Sequence, residues 1–192
     1  MHHVAVGGTR VEVEELGTGA PVAVLQTALA IDELVPLSRE LARTLSVWHV
    51  HRPGYGLSGP ARVASVEADA DLVVAVLDRL GAGAVHLVGA SYSAALALTL
   101  AARHPATVRS LSLVEPPPYG TPGATDFRSA NEGLLELHAR LGAVVALDHF
   151  MGAVDEPDWR AGAERYLPGS VGAMQRDAET FFRSDVPALL RW

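Results

Sequence analysis

The sequence predicts an α/β fold in which a mainly parallel sheet is covered by helices on both faces. Short valine-rich apolar runs alternate with segments of helical periodicity, the pattern of βαβ units. With 192 residues, 49% of them apolar and 19% charged, the chain can bury a sizeable core in one or two domains. A third observation is Ser91, on a tight turn between an apolar run and an Ala/Leu-rich helical pattern, the arrangement that exposes a nucleophile.

Residues 4–6 and 11–15 flank Gly7-Gly8 and read as a hairpin, with Val11 and Val13 alternating with Glu12 and Glu14, which puts an acidic, wet face outward. Residues 22–25 form a short buried strand. The leucines at 34, 37, 41 and 45 give residues 32–45 helical spacing, with Asp32 as N-cap. Residues 47–51 form the next strand, 66–80 an amphipathic helix, Gly81-Ala82-Gly83 a turn, 85–88 a buried strand and 94–103 a helix of strong formers. Residues 108–114 form a further strand, ended by Glu115 and three prolines that cannot donate backbone hydrogen bonds. From residue 121 onward the pattern is helical, in segments 131–145, 147–154, 158–166 and 171–183.

Composition excludes several classes of function. All fifteen cations are arginine and the net charge is -7, so no basic run tracks phosphates and nucleic acid is not an expected partner. With no cysteine there is no disulfide framework, thiolate metal site or cysteine nucleophile, which leaves serine to carry any covalent step. No apolar stretch reaches the roughly 20 residues that span a bilayer. The N-terminus lacks the charged and apolar regions of a secretory signal, so the cytoplasm is the default expectation. No phosphate-binding glycine motif is present and no cofactor is expected. His49 and His51 share one face of a strand, but without a third ligand they read as packed polar groups, and no metal is expected. Asp69 and Asp71 read as a solvated helix face.

Two motifs carry a family resemblance. Gly89-Ala90-Ser91-Tyr92-Ser93 stands in strand-turn-helix context, with small residues two positions either side of the serine; the second is a serine where glycine is usual. Upstream, His51-Arg52-Pro53-Gly54-Tyr55-Gly56-Leu57-Ser58-Gly59 follows a strand and precedes the helix leading to that turn. Together they resemble the nucleophile elbow and the R-P-G-Y-G-x-S loop of the α/β-hydrolase family. The resemblance implies a hydrolase core over residues 1–120 and a helical cap over 121–192, inserted after the sixth strand. It also implies that the chain stops at the end of the cap, before two further strands that carry the family's histidine and usual acid.

A serine nucleophile needs a base, a group that orients the base, and donors for the developing oxyanion. The resemblance assigns Ser91 as nucleophile and the backbone N–H groups of Tyr92 and Ala28 as oxyanion donors. Ala28 lies in a departure from the family, Gln26-Thr27 replacing the usual His-Gly, which asks Thr27 for a geometry that glycine usually supplies. Glu115 stands where some relatives place the orienting acid and where others have a residue that only lines the pocket floor. Of the eight histidines, His104, His138 and His149 follow Ser91, and none has the context of the family's base.

Two functions from different classes remain open at this level. The first is a serine hydrolase acting on a small apolar ester, lactone or similar carbonyl substrate, whose base lies outside these residues. The second is a non-catalytic hydrolase-like protein that binds a small ligand or pairs with another chain. The strand at 108–114 would be an uncovered edge, a surface for homodimer formation.

Overall fold

The computed structural model describes residues 1–29, 33–61, 65–154 and 158–192. Its sheet has six strands: β1 (His2–Val6), β2 (Thr9–Leu16), β3 (Ala20–Leu25), β4 (Leu45–His51), β5 (Val85–Ala90) and β6 (Val108–Val114), in spatial order β1-β2-β4-β3-β5-β6. The hairpin β1–β2 turns on Gly7 and Gly8, both at positive φ, and β2 adds antiparallel to β4. From β4 through β3 and β5 to β6 every pairing is parallel.

Helices cover both faces, as the alternating pattern requires. On one face α2 (Val66–Arg79) and α3 (Tyr92–Arg103) bury Val66, Val73, Leu77, Leu96 and Leu100 against Val11, Val13, Ala23, Val50 and Leu87. The Ser65 hydroxyl caps α2, accepting a hydrogen bond from Ala68 N–H at 3.1 Å. On the other face the short α1 (Val35–Leu41) covers Val22, Val24 and Val47, helped by Leu34, Leu41 and Leu45. The helix expected over residues 32–45 is therefore shorter, because Leu45 already opens β4 and its leucine belongs to the sheet. The N-cap expected at Asp32 lies outside the described residues.

After β6 come α4 (Ala124–Leu141), α5 (Ala143–Val154), α6 (Trp159–Tyr166), α7 (Ser170–Thr180), a π-helical turn at Phe181–Asp185 and α8 (Val186–Arg191). The first break falls at Gly142, whose φ of 84° ends α4, rather than after residue 145. These helices share an apolar cluster around Leu134, Leu147, Trp159, Met174, Phe181 and Phe182, which includes Leu29 from the loop after β3. Ala188 and Leu189 of α8 join the main core, and Trp192 donates its indole N–H to Thr99 Oγ1 of α3 at 2.8 Å.

Two sequence expectations are overturned. Glu12 is not on a wet face: it is buried, because the loop at 55–59 folds over β2, donating Leu57 N–H to its carboxylate at 2.8 Å. Asp69 is not solvated: it is buried against Arg52 and Tyr92.

Candidate active site

In an open α/β sheet, the crevice beyond the carboxyl ends of the parallel strands is where ligands bind. Among the described residues, the non-glycine residues at positive φ are Leu29, Ser91 and Glu115, with φ of 66°, 50° and 46°. They follow β3, β5 and β6, three neighbouring strands, at that carboxyl end. Such conformations cost roughly 1–3 kcal/mol each and gather at functional sites.

Ser91 is exposed, with φ 50° and ψ -116°, between β5 and the first turn of α3. Its N–H donates to Val114 O of β6 at 3.0 Å, which pins the turn to the neighbouring strand. The turn is tight enough that a Cβ at Gly89 would lie 2.3 Å from Ser93 O, so only glycine fits there. Ser93, the departure from the usual glycine, is accommodated by its own bonds: its hydroxyl accepts from Ala90 N–H at 2.9 Å and donates to Ala90 O at 3.0 Å.

Tyr92 is the first residue of α3, where helix geometry leaves the N–H without an intrahelical acceptor. Ala28 is half-buried in the loop after β3. That loop is tied to the elbow strand by Thr27 Oγ1, which donates to Ala90 O at 2.9 Å. Thr27 does not take the glycine-like conformation expected of it; the positive φ falls on Leu29 instead. Glu115 is exposed next to Val114, so the chain places it beside the Ser91 turn. Desolvation, and then the charge of Glu115, raise the Glu33 carboxyl above its ordinary value.

Behind the crevice stands a polar cluster that the sequence reading missed. Arg52 is buried, and its guanidinium forms a bidentate pair with Asp185 at 2.9 and 2.7 Å and reaches Asp69 at 3.1 Å. Burial alone would push Arg52 down, but the charge and hydrogen bonds of Asp185, with Asp69, outweigh it and hold the guanidinium well above its ordinary value. Burial raises Asp69 despite Arg52. Tyr55 and Tyr92 are both raised, by burial first; the Asp185 charge comes next for Tyr55 and adds to that of Asp69 for Tyr92. The available signal was Asp69 itself, which lies on the apolar stripe of Val66, Ala70, Val73 and Leu77. A carboxylate on a buried helix face requires a cation.

The histidines are occupied elsewhere or stand apart. His86 opens β5, at the opposite end from Ser91, and pairs with Ser110 Oγ at 2.7 Å. His104 ends α3 against Asp71 at 2.7 Å, about 20 Å along the helix from Ser91 at 1.5 Å per residue. His138 stacks on Phe182 and lies 3.4 Å from Glu179, and His149 is exposed on α5. His49 and His51 are buried under the sheet's α1 face, and His51 pairs with Glu12 at 3.1 Å. Among the described residues no histidine hydrogen-bonds to Ser91, and no group of three or more potential ligands is placed to hold a metal. No described helix is long and apolar enough to cross a membrane.

A family model for the alpha/beta hydrolase fold matches residues 31–150, more than half of the chain. The chain belongs to the alpha/beta hydrolase fold family. Among curated proteins none matches it. Among solved structures of the alpha/beta hydrolase fold, it is similar to an alpha/beta hydrolase from Sphaerobacter thermophilus at 27% identity and a TM-score of 0.68, over 96% of this chain and 73% of that one. A thermophilic esterase from Thermogutta terrifontis superposes with a TM-score of 0.72 at 20% identity, covering 98% of this chain and 72% of that one. An enol-lactonase from Burkholderia xenovorans does so at 0.74 and 19%, covering 99% and 75%. At those last two identities the likeness is one of fold.

Proposed function

We propose that the protein is a serine hydrolase of a small apolar ester or lactone, with Ser91 as nucleophile and residues 121–192 as the cap over its site. The observation that carries the reading is the elbow: an exposed serine at φ 50° on a turn that admits only glycine at position 89, at the carboxyl end of a parallel sheet. In this reading Ser91 Oγ attacks the carbonyl carbon while a base takes its proton. The N–H groups of Tyr92 and Ala28 hold the oxyanion; the alcohol leaves with the proton, and water then releases the acid. The reading calls for a histidine base at Ser91, and among the described residues no histidine hydrogen-bonds to Ser91. Glu115 is the acid candidate at hand. The esterase and lactonase neighbours of the same fold support the choice of carbonyl substrate.

That no histidine hydrogen-bonds to Ser91 among the described residues favours a second reading, a non-catalytic protein that holds a small apolar ligand beneath its helices. A fluorophosphonate probe separates the two. The hydrolase should be labelled, and Ser91→Ala should abolish labelling; labelling that persists in Ser91→Ala removes Ser91 as nucleophile. A folded protein that takes up no probe supports the second reading.

A further inference from the structure

Ala28, whose N–H is one of the two proposed oxyanion donors, is held from both sides by groups that converge on Asp185. On its N-terminal side, the Arg52 guanidinium donates to Gln26 O at 3.4 Å and to Thr27 O at 3.3 Å, while Arg52 N–H donates to Gln26 Oε1 at 3.0 Å. On its C-terminal side, Leu29 N–H donates to the Tyr55 hydroxyl at 3.1 Å, at the residue where the loop takes its positive φ. Tyr55 then donates to Asp185 Oδ2 at 2.6 Å, the same oxygen that accepts from Arg52 Nη2 at 2.7 Å. The second donor is reached through the other carboxylate. Asp69 accepts from Arg52 and, at 2.9 Å, from the hydroxyl of Tyr92, whose ring lies 4.1 Å beneath the guanidinium carbon.

Asp185 does not belong to the sheet. It sits in the π-helical turn between α7 and α8, next to Phe182 and Val186, whose side chains complete the apolar cluster of the helical region. We infer that Asp185 is a positioning residue that, through Arg52 and Tyr55, sets the geometry of both oxyanion donors, so that docking of the helical region and assembly of the oxyanion site are a single event. The inference rests on the hydrolase reading for its chemistry. Its geometry stands apart from it. Without Asp185 the Tyr55 hydroxyl loses its acceptor and Arg52 keeps one carboxylate of two. The Tyr55 oxygen that accepts from Leu29 N–H is then no longer fixed in place, and the strained Leu29 conformation keeps its apolar packing but loses its oriented hydrogen bond.

Tyr55→Phe tests the tether while leaving the Arg52–Asp185 pair and the ring packing in place. Two readings are taken: exchange of the Leu29 amide hydrogen by NMR, and hydrolysis of p-nitrophenyl acetate per active site, counted by the p-nitrophenolate burst. Leu29 exchange should quicken about fivefold, the factor that one hydrogen bond of ordinary net strength represents. The kcat should fall on the order of tenfold or more, with KM changed less than twofold, because a misplaced donor is felt in the transition state. Val4→Ala, in the distant hairpin, serves as the control for general loosening: it lowers stability and should leave both readings unchanged. Asp185→Asn should move them in the same direction as Tyr55→Phe; if it fails to fold, Tyr55→Phe alone decides. Unchanged Leu29 exchange and unchanged kcat in Tyr55→Phe would overturn the inference while the hydrolase reading stands. If wild type hydrolyses no ester and takes no fluorophosphonate, the hydrolase reading fails, and Leu29 exchange still decides whether Asp185 and Tyr55 hold the loop.

Discussion

His49 is the residue at which burial and chemistry conflict most openly. Neither ring nitrogen has a hydrogen-bond partner among the described residues, the ring is fully buried, and His51 stands edge-on at 4.8 Å. Across the ladder it faces Glu14 on β2 and Val24 on β3. Burial, then His51, pushes it down to about 3. The unfolded chain therefore binds a proton that the folded one refuses. Stability is full above the ordinary histidine value near 6.5 and falls as pH drops below it, by about 1.4 kcal/mol per unit. Glu12 acts in a lower window: burial would raise it, but Leu57 N–H and His51 outweigh that and hold it below its ordinary value, so its contribution is lost only below about 4.5. Urea melts at about pH 7 and about pH 5 should show wild type losing about 2 kcal/mol and His49→Leu losing much less. Equal losses in the two proteins would remove His49 as the cause. The sequence shows that His49 and His51 share a face, because strand alternation is local. It does not show that Glu12 joins them, since the loop that buries Glu12 comes some 45 residues later in the chain and covers it only in the folded state.

At the level of elements, the segment that carries Ser91 is the most legible part of the molecule. The expected strand at 85–88 and helix at 94–103 extend toward each other as Val85–Ala90 and Tyr92–Arg103, leaving Ser91 alone between them. Small residues reveal this turn in the sequence because the backbone leaves room for nothing else. A Cβ at Gly89 would meet Ser93 O at 2.3 Å and Ala94 N at 2.9 Å, both main-chain atoms that cannot step aside. Gly133, exposed on α4, has nothing within 4 Å of its would-be Cβ. Gly89→Ala should therefore cost about 1–3 kcal/mol by overpacking. Gly133→Ala should gain about 0.5–1 kcal/mol from helix propensity. Chemical melts of both variants check the pair, and equal effects would mean that the elbow is not tight. The helices after β6 were less legible, because helical periodicity fixes a face but not an end. Their breaks are set by Gly142 and by the π-helical turn at Phe181–Asp185, whose strongest anchor, Arg52, lies more than 100 residues earlier.

Over the whole molecule, the sheet closes on one side with the β1 hairpin and ends on the other with β6, which pairs only with β5 among the described residues. The inward side chains of β6, Leu111 and Leu113, pack on the main core, while Ser110, Ser112 and Val114 stay exposed, Val114 by 53%. An unpaired edge of this kind offers a row of backbone donors and acceptors to another strand. Apart from Arg109 at its start, β6 carries no charge that would repel such a partner. The alternation of strands and helices made the parallel core legible, but strand order is a long-range property that follows only once β3 is seen between β4 and β5. If β6 is the sheet edge in solution, these 192 residues should self-associate as concentration rises, through pairing of β6 with its counterpart in a second copy. Sedimentation velocity over a concentration series should show that shift in wild type. In Ser112→Lys, which sets like charges at the edge, it should weaken at unchanged circular dichroism. A wild type that sediments as a monomer throughout the series would show that this edge does not pair, and an undiminished shift in Ser112→Lys would place the contact elsewhere on the molecule.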